Sequence, residues 1–292
     1  MSISIFKFGS RQGTSINLPL DRNSDTSWHP RINDRFPGFT ARSTRGQIGF
    51  PDWADGSWVL LVSHPAAFTP VCTTEIRALA ERHAEFEERH VKVIALTGDT
   101  LDRIREWTCE IERDSGIMVP FPHISDENHV IVRGCGLLSH EPVSGGKFCA
   151  RRSLLIDPCG IVRMIMDYPL AVGRSVDETL RSIDALMVSE RLGVLAPSDW
   201  QLGEPLLLNH EISPREKMRR CGMEDTDENP YFRMIEPFAR RKGRSRPPQG
   251  ERFPEINNIE LRLIVDEHNR RMKPGATPAA MMLSGVFAPL RT

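Results

Sequence analysis

Two short runs, Trp58-Val59-Leu60-Leu61-Val62-Ser63 and Val91-Lys92-Val93-Ile94-Ala95-Leu96, constrain this chain more than any other feature. The first carries no charge, so it offers water no polar face. A strand of that kind is stable when both of its sides are covered, as in a sheet layered between helices. Between the runs, residues 73–89 place Ile76, Leu79, Ala80, His83 and Phe86 at helical spacing with Glu and Arg opposite, which predicts a helix. Residues 100–112 repeat that pattern through Leu101, Ile104, Trp107 and Ile111. SLLID (153–157) and IVRMIM (161–166) flank Pro158-Cys159-Gly160, a hairpin signal, and residues 175–189 read as a closing helix. Strand, helix, strand, helix, hairpin and helix in that order predict a three-layer α/β domain.

Outside that alternation the composition changes. Residues 1–32 are polar, with little periodicity, and read as an irregular extension that is ordered only if it docks. The α/β pattern occupies 33–196. A more polar C-terminal segment spans 197–240. A tail covers 241–292, entered through RRKGRSRPPQGER at 240–252, an exposed basic linker, and helical in part around 255–272.

Charge excludes several classes. Lys and Arg number 38 against 39 Asp and Glu, a net charge of -1, which argues against a nucleic-acid binder. No apolar run approaches the ~18 residues of a membrane span, and the N-terminus shows no secretory segment. The expected location is cytoplasmic. The six cysteines, Cys72, Cys109, Cys135, Cys149, Cys159 and Cys221, include no CxxC pair. Six in 292 residues are too sparse for a disulfide scaffold, and the missing CxxC disfavours a zinc ribbon and a general disulfide oxidoreductase. The nine histidines form no ligand-spaced cluster, so neither a metal nor another cofactor is expected.

One cysteine stands apart. In His64-Pro65-Ala66-Ala67-Phe68-Thr69-Pro70-Val71-Cys72-Thr73-Thr74-Glu75, a buried strand ends, a proline-punctuated loop follows, and Cys72 falls at the first turn of the next helix. Backbone N–H groups without partners and the positive end of the helix dipole favour thiolate over thiol there. Thr69 brings a hydroxyl near the same point.

Pro65, Thr69 and Cys72 form the Pro-x-x-x-Thr-x-x-Cys signature, and the longer HPxxFTPVCTTE string resembles the one-cysteine group of the peroxiredoxins, the AhpC/TSA-like family. Arg151-Arg152-Ser153-Leu154-Leu155-Ile156-Asp157-Pro158 is similar to the family's arginine-bearing strand, with Arg151 as the match and Arg152 the alternative one register away. Tyr168-Pro169, Gly173-Arg174 and Ala196-Pro197-Ser198-Asp199-Trp200 extend the likeness, which covers about residues 33 to 210.

The resemblance implies a thioredoxin-like fold with a C-terminal extension domain, and a thiol-dependent peroxidase acting on hydrogen peroxide and organic hydroperoxides. Cys72 is then the nucleophile that becomes a sulfenic acid. Thr69 holds the peroxide and Arg151 stabilises the sulfur and the leaving oxygen. The N–H groups of Val71 and Cys72 complete the pocket, Glu75 orients an arginine, Arg174 is a second arginine, and His64 lies near the sulfur. Cys221 is the candidate resolving cysteine. The reductant is a thioredoxin-like protein or a small thiol. The same resemblance implies a homodimer or a ring of dimers, with 197–240 as the dimerisation domain. A lipase activity is not expected, because Ser57 lacks a Gly-x-Ser-x-Gly setting and Pro51 stands where a histidine base is needed. The alternative function is a peroxide sensor or holdase whose assembly responds to oxidation.

Overall fold

The computed structural model describes residues 5–9, 14–19, 28–139, 148–209 and 234–235. Its strands are β1 (Ile5–Gly9), β2 (Ser15–Pro19), β3 (Phe39–Ser43), β4 (Gly46–Phe50), β5 (Trp58–Ser63), β6 (Val91–Thr97), β7 (His123–Ser125), β8 (Arg151–Ile156), β9 (Val162–Tyr168), β10 (Val194–Leu195), β11 (Leu206–Leu208) and β12 (Met234–Ile235). Helices α1 (Pro70–Glu81) and α2 (His83–Glu88) lie between β5 and β6. Helix α3 (Leu101–Ser115) joins β6 to β7, α4 (Val130–Gly134) follows β7, and α5 (Val176–Leu192) follows β9.

Among the described residues the main sheet has nine strands in the order β1-β2-β3-β7-β6-β5-β8-β9, with β4 paired to β3. At its centre β5 runs parallel to β6 and antiparallel to β8. Every residue of β5 is buried, as its uncharged sequence requires when both faces are covered. Val59 and Leu61 join Ile94, Leu96, Leu154 and Ile156 in one apolar cluster. Alternation sends Trp58, Leu60 and Val62 to the opposite face, where they too are buried. The helices contribute buried Ile76, Leu79, Phe86, Ile104 and Trp107.

The register places the site. Ser63, the last residue of β5, is opposite Leu96 near the end of β6 and Arg152 at the start of β8. The loop leaving β5 and the beginning of β8 therefore share one end of the sheet.

Two sequence expectations change. Residues 73–89 form two helices, separated at Arg82, whose φ of -107° and ψ of 16° leave the helical region. Residues 1–32 are not wholly irregular: β1 pairs with β2, and β2 with β3, where Ile16 is fully buried. The extension docks by adding strands to an edge, which local polarity does not announce.

The chain divides into two compact units, Met1–Val176 and Asp177–Thr292. In the second, Val188, Val194, Trp200, Leu206 and Leu208 make a small core, and β10, β11 and β12 form a separate sheet. Residues 241–292, with the expected basic linker and tail, lie outside the described residues.

Candidate active site

The sequence after β5 dictates the local geometry. His64 donates its backbone N–H to Leu96 O at 3.0 Å, ending the strand against β6. Pro65, half-buried, opens a loop in which Phe68 takes a left-handed φ of 60°. Thr69 is the N-cap of α1 and Pro70 its first residue, where a missing N–H costs nothing. The first intrahelical bond runs from Thr73 N to Thr69 O at 3.0 Å, so the N–H groups of Val71 and Cys72 precede the ladder. The Thr73 hydroxyl also donates to Thr69 O (2.9 Å) and accepts from Trp107 Nε1 (3.0 Å), tying α1 to α3.

Cys72 is the third residue of α1 and fully buried. Across from it Arg151, also buried, aims Nη1 at the sulfur from 3.6 Å. The same Nη1 donates to Glu75 Oε2 in a short, buried ion pair, and Nη2 donates to Leu170 O at 2.9 Å. Glu75 lies one turn after Cys72 on α1 and also accepts from Arg174: from its backbone N (2.8 Å), Nε (2.9 Å) and Nη2 (2.9 Å). Arg174 Nη1 in turn donates to Ser63 O (3.0 Å) and Arg152 O (3.1 Å), stapling the ends of β5 and β8.

Two guanidinium groups and one carboxylate leave the cluster with one net positive charge, and its nearest group faces the sulfur. In a water-poor site that charge stabilises negative charge on sulfur and on an oxygen leaving it. Of the two arginines that the sequence left open, Arg151 faces Cys72. Arg152, one residue on and hence on the other face of β8, pairs with Asp167 and donates to Gly136 O. Thr69 is half-buried, its hydroxyl donating to Ala66 O at 3.0 Å.

His64 sits in a buried pair of histidines. Its ring is fully buried beside Trp107, with centroids 5.3 Å apart, and its Nε2 makes a short hydrogen bond with Nε2 of His123. One ring donates and the other accepts, and burial disfavours the charged form of each. Burial, His123 and the positive charges of Arg174 and Arg151 hold His64 well below the usual histidine range. Burial alone takes His123 down to about 3. Sequence reasoning missed His123 because a lone histidine in a short strand carries no signature.

The other thiols differ. Cys135 and Cys149 are fully buried, and burial, with Asp126 nearby, pushes both thiols well up. Cys109 is exposed and Cys159 half-buried; none of the five described cysteines is in a disulfide. Cys221 lies outside the described residues. Among the described residues no group of three or more His, Cys, Asp or Glu is placed to hold a metal, and no helix is long and apolar enough to cross a membrane.

A thiol in the first turn of a helix, facing a buried arginine at the end of a mixed sheet of this order, defines a thiol-redox site on a thioredoxin-like fold. Comparison with known proteins makes the class specific. Residues 32–165 match the AhpC/TSA family. The peroxiredoxin of Aquifex aeolicus is 41% identical over 171 residues, 59% of this chain and 76% of that protein. A Cys-to-Ser mutant of peroxiredoxin 6 from Arenicola marina has a TM-score of 0.68 at 30% identity, covering 72% of this chain and 99% of that one. The yeast mitochondrial 1-Cys peroxiredoxin gives 0.63 at 34% identity, covering 70% and 99%. The chain belongs to the peroxiredoxin family. It is a thiol-dependent peroxidase whose substrate is a peroxide and whose reductant is a thiol. The sensor or holdase alternative gains no support from these relatives.

Proposed function

We propose that Cys72 is the peroxidatic nucleophile, that Thr69 and Arg151 are its catalytic partners, and that hydrogen peroxide and organic hydroperoxides are its substrates. The carrying observation is the 3.6 Å approach of Arg151 Nη1 to Cys72 Sγ, with the guanidinium fixed by Glu75 and Leu170 O. The thiolate sulfur attacks one peroxide oxygen, the O–O bond breaks, and Cys72 becomes a sulfenic acid. The second oxygen leaves with the electron pair and takes a proton to become water or an alcohol. Thr69 and the N–H groups of Val71 and Cys72 hold the peroxide in line. Arg151 meets the charge that develops on the leaving oxygen. Glu75 and Arg174 keep Arg151 in place, and Pro65 stiffens the loop. His64 supports the pocket through its packing on Trp107 and His123.

The sulfenic acid is then reduced by a thiol. The yeast relative's structure is described as resolving through glutathione and thioredoxin systems, which supports a thioredoxin-like protein or a small thiol here. Cys221 is the candidate resolving residue. We also propose a cytoplasmic homodimer or ring of dimers. Its organisation is an extension at 1–32, the catalytic domain at 33–196, a dimerisation segment at 197–240 and a tail at 241–292.

The test is one equivalent of hydrogen peroxide added to the reduced protein without reductant, with Cys72 mapped by mass spectrometry beside a Cys221→Ser variant. A Cys72–Cys221 disulfide that disappears in the variant establishes a two-cysteine cycle. A sulfenic or sulfinic Cys72 with Cys221 untouched establishes one-cysteine chemistry. A reduced Cys72 while other cysteines oxidise overturns the assignment.

A further inference from the structure

The loop between β5 and α1 has a second anchor, outside the arginine cluster. Asp99, just after β6, accepts from the backbone N–H of Ala67 at 2.6 Å, from the Thr97 hydroxyl at 2.9 Å and from Arg103 Nε at 3.0 Å. The Ala67 N–H belongs to the same peptide unit as the Ala66 carbonyl, and that carbonyl accepts from the Thr69 hydroxyl at 3.0 Å. One peptide plane therefore joins the Asp99 carboxylate to the Thr69 hydroxyl. A carboxylate on its N–H polarises the peptide and strengthens its carbonyl as an acceptor. The Thr69 proton is thereby committed to Ala66, and the lone pairs of Oγ1 are left to accept.

Phe68 supplies an independent observation. Its left-handed backbone is costly for a residue with a side chain, and such a conformation persists only where the surroundings over-determine it. Arg103, paired to Asp99, lies over the Phe68 ring at 4.9 Å from its centroid and reaches Ala67 O at 3.5 Å. The residues that hold the turn on this side thus converge on Asp99.

We propose that Asp99 is a positioning residue for the peroxidase reaction. It fixes the Ala66–Ala67 peptide so that Thr69 presents an acceptor, not a donor, to the incoming peroxide. The inference rests on Cys72 and Thr69 being the reacting pair. Asp99 touches neither sulfur nor substrate; its effect passes through Thr69 alone.

The experiment compares two rates in the full-length reduced protein: single-turnover oxidation of Cys72 by hydrogen peroxide, and alkylation of the same thiol by iodoacetamide, which needs no peroxide alignment. Asp99→Asn is expected to lower the peroxide rate by about 10- to 100-fold, the scale of a misplaced reactant, and to leave alkylation within about threefold of wild type. In a Thr69→Val background the same substitution is expected to cost less than about threefold, because residues acting through one another are not additive. A parallel fall in both rates overturns the proposal by showing a merely structural role. So does an equal loss in both backgrounds, or a peroxide rate that Asp99→Asn leaves unchanged. If melting shows Asp99→Asn unfolded, Asp99→Glu, which keeps the charge and shifts it by one methylene, is read by the same criteria. A wild-type Cys72 that ignores peroxide overturns the nucleophile assignment itself, an outcome distinct from a reactive wild type matched by Asp99→Asn.

Discussion

Cys72 and Cys149 are equally hidden from water, yet they occupy opposite environments. Around Cys149 the neighbours are apolar core residues and, nearby, the carboxylate of Asp126, so burial first and negative charge second keep the sulfur protonated. Around Cys72 the neighbours are the head of a helix and the Arg151 guanidinium, itself held by Glu75. Burial alone does not make a thiol inert or reactive. The charge placed beside the buried sulfur differs in sign between the two sites: a carboxylate near Cys149, a guanidinium at Cys72.

The largest expected effect divides these two sulfurs. Cys72→Ser should abolish peroxide consumption, whereas Cys149→Ser should retain most of it and lose stability instead; steady-state turnover and thermal melting on both variants check this. Equal losses of turnover would erase the distinction.

Next comes the charge that creates the difference. Arg151→Met should slow Cys72 oxidation by about 10²- to 10³-fold, the cost of removing one preorganised donor, when read by single-turnover kinetics. The fold should survive, since Glu75 keeps Arg174 as its partner.

The smallest effect sharpens the comparison through the neutral histidine pair. His123 has a folded pKa of about 3 against an ordinary 6.5. Between those values the unfolded chain binds a proton that the folded chain refuses, so this contribution to stability is complete above pH 6.5 and is lost as pH falls. Burial raises Asp126 to about 6, so its contribution runs the other way, present below its unfolded value and lost as pH rises through 6. It acts equally with or without His123. Between pH 7.5 and 4.5, wild type should therefore lose about 2–3 kcal/mol more stability than His123→Leu. Urea unfolding at the two pH values is the measurement, and identical losses would refute it.

Much of the molecule was legible in its sequence where chemistry is local. The run of β5 had to be a doubly covered strand, and it is. The Pro65–Cys72 stretch had to break a strand and start a helix, and Thr69 and Pro70 do so as N-cap and first residue. What was not legible depends on register and tertiary partners. Arg151 and Arg152 are adjacent in sequence but point to opposite faces of β8, and only the pairing with β5 decides which one meets the thiol. His123 reaches the loop from β7 and Asp99 from just after β6, 59 and 32 residues from the groups they contact. No periodicity encodes such meetings. Strands β1 and β2 were hidden for a related reason: an edge strand takes its order from the neighbour it pairs with, not from its own polarity.

Trp107 carries one last consequence. Its indole donates to Thr73, the residue after Cys72, and its ring lies beside His64 at the start of the reactive loop. The protein thus contains its own optical gauge of the active site. With Cys72 as the proposed nucleophile, a new oxygen on sulfur or a shift in the first turn of α1 would alter the surroundings of this buried fluorophore, and a change in tryptophan emission on adding peroxide is the expected, label-free signature.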